Sequence, residues 1–214
     1  MYDRRVNNNS KDSPTRIFFV RHGVTDQTGK VLYGRTKGIN LNEEGRQQAE
    51  LMAQYFEPIK IDAVYSSPLE RAFETAEIIT SDRGLEISAI EDLADTDVGA
   101  WTNMGLKECS ELEEWKNVQA TPSQFKFPEG ESFVDIFDRM SDVVRSVVSA
   151  NEGKNIVVTS HRDPIIILLA SYLGVHMDSF QRIPCKPASL TEVAFYNGIG
   201  SVESVNVLPA KRMA

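Results

Sequence analysis

The sequence predicts an α/β fold, a three-layer αβα sandwich around a mostly parallel central sheet. Two observations carry this. Short continuous apolar runs of buried-strand type alternate with longer segments whose apolar residues recur at helical spacing. Neither an internal repeat nor a linker interrupts that alternation, so residues 15–214 read as one domain behind a flexible polar tail at residues 1–14.

Ile17-Phe18-Phe19-Val20 is the first buried strand. Asn42 reads as a helix N-cap, with Glu43 and Glu44 placed favourably against the helix dipole. Ala49, Met52, Ala53 and Phe56 give that helix one apolar stripe. Ile61–Tyr65 is the second strand. Ser67-Pro68-Leu69-Glu70 opens the next helix as a capping box of Ser67 with Glu70, Pro68 taking the first helical position. Leu85–Ile90 is a short third strand.

Periodicity is lost between Ala100 and Glu129, where Trp101, Trp115, Pro122 and Pro128 stand. This stretch reads as an irregular, partly helical excursion, a lid over a site. Its tryptophans are expected to pack rather than to meet a substrate. Ser132 caps the clearest amphipathic helix, with Phe133, Ile136, Phe137, Met140, Val144, Val147 and Val148 at helical spacing. Asn155–Thr159 is another buried strand, and Asp163-Pro164 starts an apolar helix that stops near Gly174. Ser189–Tyr196 and Val202–Leu208 are strands joined by a hairpin turn at Asn197-Gly198-Ile199-Gly200.

Composition limits the function. A net charge of −8 over 214 residues argues against a nucleic-acid binder, which needs a basic surface. Any anion site must therefore be a local positive pocket. Cys109 and Cys185 lack metal or redox spacing and read as free thiols of a reducing cytoplasm. The longest apolar run, Pro164–Leu173, is too short to cross a bilayer, so no membrane partner is expected.

Such a pocket is written at the strand ends. Arg21-His22-Gly23 follows the first strand, and His161 follows Asn155–Thr159. Ligands of α/β sheets bind at the carboxyl ends of strands. Arg71 lies one turn inside its helix, and helical side chains lean toward the N-terminus, so its guanidinium reaches the same edge. Two arginines and two histidines suit a tetrahedral dianion, since the arginine fork pairs with phosphate oxygens and keeps its charge. Neutral imidazole attacks phosphorus and protonated imidazole only donates, so the two histidines divide into nucleophile and oxygen holder. A pocket already this positive repels a cation, and no metal is expected.

Arg21-His22-Gly23-Val24-Thr25, Ser66-Ser67-Pro68-Leu69-Glu70-Arg71-Ala72 with Thr75-Ala76, Pro128-Glu129-Gly130-Glu131-Ser132 and Ser160-His161 together resemble the histidine phosphatase superfamily. The resemblance implies a phosphoglycerate mutase-like fold. It also implies that His22 is transiently phosphorylated while Arg21, Arg71 and His161 bind the phosphoryl group. A carboxylate before the excursion would protonate the leaving oxygen and then activate water. Asp95 occupies that position, two residues after Leu93 and four before Gly99, with Asp97 as the alternative. In relatives this acid is usually a glutamate; aspartate is shorter by one C–C bond, roughly 1.5 Å.

Other positions depart from the pattern too. Thr96 and Val98 replace the arginine and aromatic of the well-studied mutases. Thr28 stands where many relatives place a phosphate-binding asparagine. Arg162-Asp163-Pro164 follows His161 where relatives often have Gly-Gly or Gly-Asn, and Arg162 either adds positive charge to the pocket or points to solvent. The excursion resembles a prokaryotic branch that carries the phosphoglycerate mutase label on similarity alone.

The expected activity is hydrolysis of a small phosphorylated metabolite through phosphohistidine, without a required cofactor. The alternatives are a phosphoglycerate mutase primed by 2,3-bisphosphoglycerate and a catalytically idle phosphate-binding module.

Overall fold

The computed structural model describes residues 13–209, and the expected tail lies outside the described residues except for Ser13 and Pro14. The first half contains β1 (Thr15–Arg21), β2 (Val31–Leu32), α1 (Glu43–Phe56), β3 (Ala63–Ser66), α2 (Glu70–Thr80) and β4 (Ile87–Ala89). The excursion holds β5 (Met104–Gly105), α3 (Leu106–Glu111) and α4 (Trp115–Ala120). Then follow α5 (Phe133–Ala150), β6 (Asn155–Ser160), α6 (Arg162–Tyr172), β7 (Leu190–Tyr196) and β8 (Ile199–Val207).

Six strands form one sheet in the order β4-β3-β6-β1-β7-β8. The first four are parallel to one another; β7 runs antiparallel to β1, and β8 antiparallel to β7. Alternate residues of β1 explain the layers. Phe18 and Val20 join Met52 and Phe56 of α1 and Ala76 and Ile79 of α2 in one core. Ile17 and Phe19 join Ile136 and Met140 of α5 and Ile165 and Leu169 of α6 in the other. A strand buried on both faces must be apolar throughout, which is why these strands appear as unbroken runs.

The strand order also builds the site. The chain leaves β1 through α1 and returns as β3, and the gap between them is filled later by β6. Arg21 is level with Ser160, and Ser66 with Thr159. The next residues, His22, His161 and Ser67, therefore emerge from three adjacent parallel strands at one edge.

Local signals mostly hold. The Asn42 side chain accepts from the Gly45 amide at 2.9 Å and caps α1. Ser132 caps α5, and the Asp135 carboxylate accepts from the Ser132 amide in return, at 2.8 Å. The hairpin turn is tighter than expected: Asn197 (φ 52°) and Gly198 (φ 80°) make it alone, and β8 begins at Ile199. Two successive positive φ values give the two-residue turn whose twist matches its strands.

The expected capping box of Ser67 with Glu70 does not form. The helix α2 begins at Glu70, its N-cap Leu69 has no side-chain bond, and Pro68 precedes the helix. The Ser67 hydroxyl is engaged with His161 instead.

The excursion is packed, not open. Trp101, Phe125 and Phe127 are buried beside Phe133, and the Trp101 and Trp115 rings lie 6.2 Å apart. The tryptophans thus pack as expected. A short ladder not anticipated from sequence, β2 with β5, ties the excursion to the loop after His22.

Candidate active site

The turn after β1 passes unusually close to α1. A Cβ on Gly23 would sit 2.5 Å from the Gly45 carbonyl oxygen, and one on Gly45 would sit 2.1 Å from that of Val24. Glycine at both positions lets the two backbones interlock and fixes where His22 emerges.

His22 is buried, and its Nδ1 lies 2.7 Å from the carbonyl oxygen of Gly23. A carbonyl only accepts, so Nδ1 carries the proton and Nε2 keeps its lone pair. The His161 ring is tilted against it at a centroid separation of 5.2 Å. Burial holds the His22 pKa well below 6.5, and His161, Arg21 and Arg71 add to that. Burial does the same for His161, helped by Arg71, Arg139, Arg21 and Arg35. Both rings are neutral at pH 7.

Nε2 of His161 lies 2.8 Å from Ser67 Oγ, which also accepts from the Leu69 amide at 3.3 Å. Nε2 accepts from the Ser67 O–H when the proton of the neutral ring sits on Nδ1, the nitrogen that faces the acceptor carboxylate of Asp95. That nitrogen is 3.4 Å from Asp95 Oδ2.

Arg71 is wholly buried on the first turn of α2, its Cζ 4.5 Å above the Tyr33 ring. Nη2 donates to the Gly34 carbonyl oxygen at 2.7 Å and to Asp95 Oδ2 at 3.0 Å. Arg21 donates from Nη1 to the Cys185 carbonyl oxygen at 2.7 Å. Three buried nitrogens here have no hydrogen-bond partner within the protein: Arg21 Nε, Arg71 Nε and His161 Nδ1. Buried donors are seldom left unpaired, and three of them around one histidine point to an anionic ligand.

Asp95 reaches this group despite its short side chain. Oδ1 accepts from the Thr96 amide at 2.9 Å, and Oδ2 faces Arg71 and His161. The Asp97 carboxylate instead accepts from the Gly99 amide at 3.0 Å. A nucleophilic nitrogen, an anion cradle and a carboxylate are therefore adjacent, the set needed for phosphoryl transfer to and from an imidazole.

The profile of the histidine phosphatase superfamily (branch 1) matches residues 17–208. The chain belongs to this superfamily. It is 33% identical over 207 residues to a bifunctional protein of Mycobacterium tuberculosis, covering 92% of this chain and 55% of that protein. The chain thus spans about half the length of that curated relative. It is also 28% identical over 183 residues to phosphoserine phosphatase 1 of Hydrogenobacter thermophilus, covering 83% of this chain and 85% of the relative. Among solved structures, YhfR of Bacillus stearothermophilus superposes with a TM-score of 0.83 at 26% identity, covering 88% of this chain and 95% of that one. The phosphoserine phosphatase of Entamoeba histolytica, solved with 3-phosphoglyceric acid, gives 0.80 at 26% identity, covering 90% and 97%. Members of the superfamily are enzymes, and the relatives include both phosphatases and mutase-like proteins. Among the described residues, no helix is long and apolar enough to cross a membrane.

Two of the expected site residues in this member of the superfamily are engaged elsewhere. Thr28 Oγ1 accepts from the Thr25 amide at 2.9 Å and lies 3.0 Å from the Thr25 hydroxyl, closing the turn after the Arg21-His22-Gly23 segment. The Arg162 guanidinium donates to Asp163 at 2.6 Å and to the Gln181 carbonyl oxygen at 3.2 Å.

Sequence reasoning missed Ser67, taken for a cap, and Arg139. Arg139 sits three residues after Ile136 and four before Val143, on the buried stripe of α5. A charge on an apolar stripe is the signal that marks it.

Proposed function

We propose that this histidine phosphatase hydrolyses a small phosphomonoester through a phosphohistidine formed at Nε2 of His22. The observation that supports this reading most is the trio of unpaired buried nitrogens on Arg21, Arg71 and His161 beside a neutral His22. In this reading Nε2 attacks phosphorus in line with the ester bond. Arg21, Arg71 and His161 bind the three equatorial oxygens, where charge gathers in the transition state. Asp95 protonates the departing oxygen and then takes a proton from the water that cleaves phosphohistidine. Thr28 orders the turn beside the nucleophile, and Arg162 would meet a substrate only after release from Asp163.

Hydrolysis is favoured over isomerisation by position 96. The Thr96 side chain is buried and its hydroxyl has no partner, so no cation stands there to hold the rest of a substrate for return transfer. The deciding experiment is a phosphomonoester panel that includes phosphoserine and both phosphoglycerates, with phosphate and isomerised product read together. Release of phosphate supports the proposal. Fast isomerisation stimulated by 2,3-bisphosphoglycerate replaces it with the mutase reading, and inertness toward every ester replaces it with a phosphate-binding role.

A further inference from the structure

Asp95 carries its carboxyl on a single methylene, and in the reading above that carboxyl must meet the leaving oxygen. Its reach depends on where its own backbone sits. That backbone is held by charged side chains from two distant parts of the chain. The Asp95 carbonyl oxygen accepts from Arg35 Nε at 3.0 Å and from Arg139 Nη2 at 3.3 Å. Arg139 Nη1 also donates to the carbonyl oxygens of Asp92 at 2.6 Å and Ala94 at 2.9 Å.

Glu131 joins the two arginines. Its carboxylate receives Arg139 Nε at 3.0 Å and Nη2 at 2.8 Å, a paired fork that fixes the guanidinium plane. Oε2 also accepts from Arg35 Nη2 at 3.1 Å, and Oε1 from the Asp97 amide at 2.9 Å. The Arg139 and Glu131 side chains are only 10% and 12% exposed, so solvent screens this pair little. The segment from Asp92 to Asp97 is thereby pinned on both sides of Asp95.

We propose that Glu131, Arg139 and Arg35 are positioning residues that aim the Asp95 carboxyl at the leaving oxygen. The inference rests on the phosphohistidine reading above. In its first step the His22 Nε2–P bond forms as the P–O ester bond breaks. The departing oxygen keeps that electron pair and receives the Asp95 proton. In the second, water oxygen bonds to phosphorus and gives a proton back to Asp95, while the N–P electron pair returns to Nε2. Misplacing Asp95 slows the first step in proportion to how much the leaving oxygen needs a proton.

The test compares leaving groups. Single-turnover labelling of His22 is measured with p-nitrophenyl phosphate, whose phenolate departs unprotonated, and with the best alkyl monoester of the panel. Glu131→Gln and Arg139→Lys disturb the buried pair. Arg35→Met changes an exposed side chain and keeps the test valid if the buried variants do not fold. With the alkyl ester, labelling is expected to slow roughly 10- to 100-fold, and with p-nitrophenyl phosphate less than about threefold. Equal losses with both substrates, or none with either, would overturn the positioning role alone. A wild-type protein that never labels His22 would overturn the phosphohistidine reading and this inference with it.

Discussion

The Nδ1–H of His22 donates to the carbonyl oxygen of Gly23 across 2.7 Å, which turns the lone pair of Nε2 away from the backbone. The bond sets the tautomer before any substrate arrives, so the attack proposed for His22 needs no prior proton transfer. His22→Ala should abolish phosphate release and leave no acid-labile phosphate on the protein after mixing with a reactive monoester. Near-normal turnover by that variant, on any ester the wild type hydrolyses, would falsify the nucleophile assignment.

Asp95→Asn keeps the shape of the side chain and removes its proton chemistry. With the panel's best alkyl ester, both formation and hydrolysis of phosphohistidine should slow, by about 10²–10⁴. Rapid-quench measurement of the two steps separates them. Unchanged rates in both would pass the acid–base role to another group.

The buried histidines make a prediction about pH. Both have folded pKa values well below the ordinary 6.5. An unfolded chain takes up protons on them below about pH 6.5, which the folded state does not until much lower. Their contribution is therefore fully present above 6.5 and lost as pH falls through that value toward the folded pKa. Each histidine should steepen the decline in unfolding free energy by up to about 1.4 kcal/mol per pH unit. Urea unfolding at pH 7.5, 6.5 and 5.5 reads this, and His161→Asn should flatten the slope. An identical slope in the variant would show that His161 does not bear the depressed pKa.

Ser67→Ala removes the hydroxyl that holds His161 Nε2. The ring then loses that hydrogen bond, and kcat/KM should fall about three- to tenfold. Thermal unfolding recorded alongside distinguishes this from a general loss of structure. Unaltered kcat/KM would mean that the pocket fixes His161 without Ser67.

Gly45→Ala places a methyl group 2.1 Å from the Val24 carbonyl oxygen. Backbone on backbone cannot yield locally, so the turn carrying His22 must shift. The expected loss is about 1–3 kcal/mol of stability, with lower activity as well. Denaturant titration and the phosphate assay check the pair, and wild-type values in both would mean that the two backbones tolerate separation.

Much of this was legible in the sequence, for reasons of period and topology. Unbroken apolar runs announced strands covered on both faces, and His22 and His161 were readable because each directly follows such a run. Arg71 was readable because a side chain near the start of a helix leans back over the strand ends, though α2 begins at Glu70 and Arg71 lies in its first turn, not one turn in. What stayed hidden depends on contacts between distant segments. Ser67 carries the same signal whether it caps a helix or holds a histidine, and only the adjacency of β3 and β6 decides. Arg139 and Asp95 lie 44 residues apart, and no spacing rule links them.

The aromatic packing beneath the excursion has an optical consequence. The chain has only two tryptophans, Trp101 and Trp115, and both belong to that segment, with rings 6.2 Å apart and inclined by 35°. Neither lies on the central sheet, so indole emission, excited at wavelengths longer than tyrosine absorbs, reports on this one segment. Two indoles this close also couple their electronic transitions, giving a circular-dichroism signal that disappears when they part. The protein thus carries a native probe of how the excursion packs on the core beneath it.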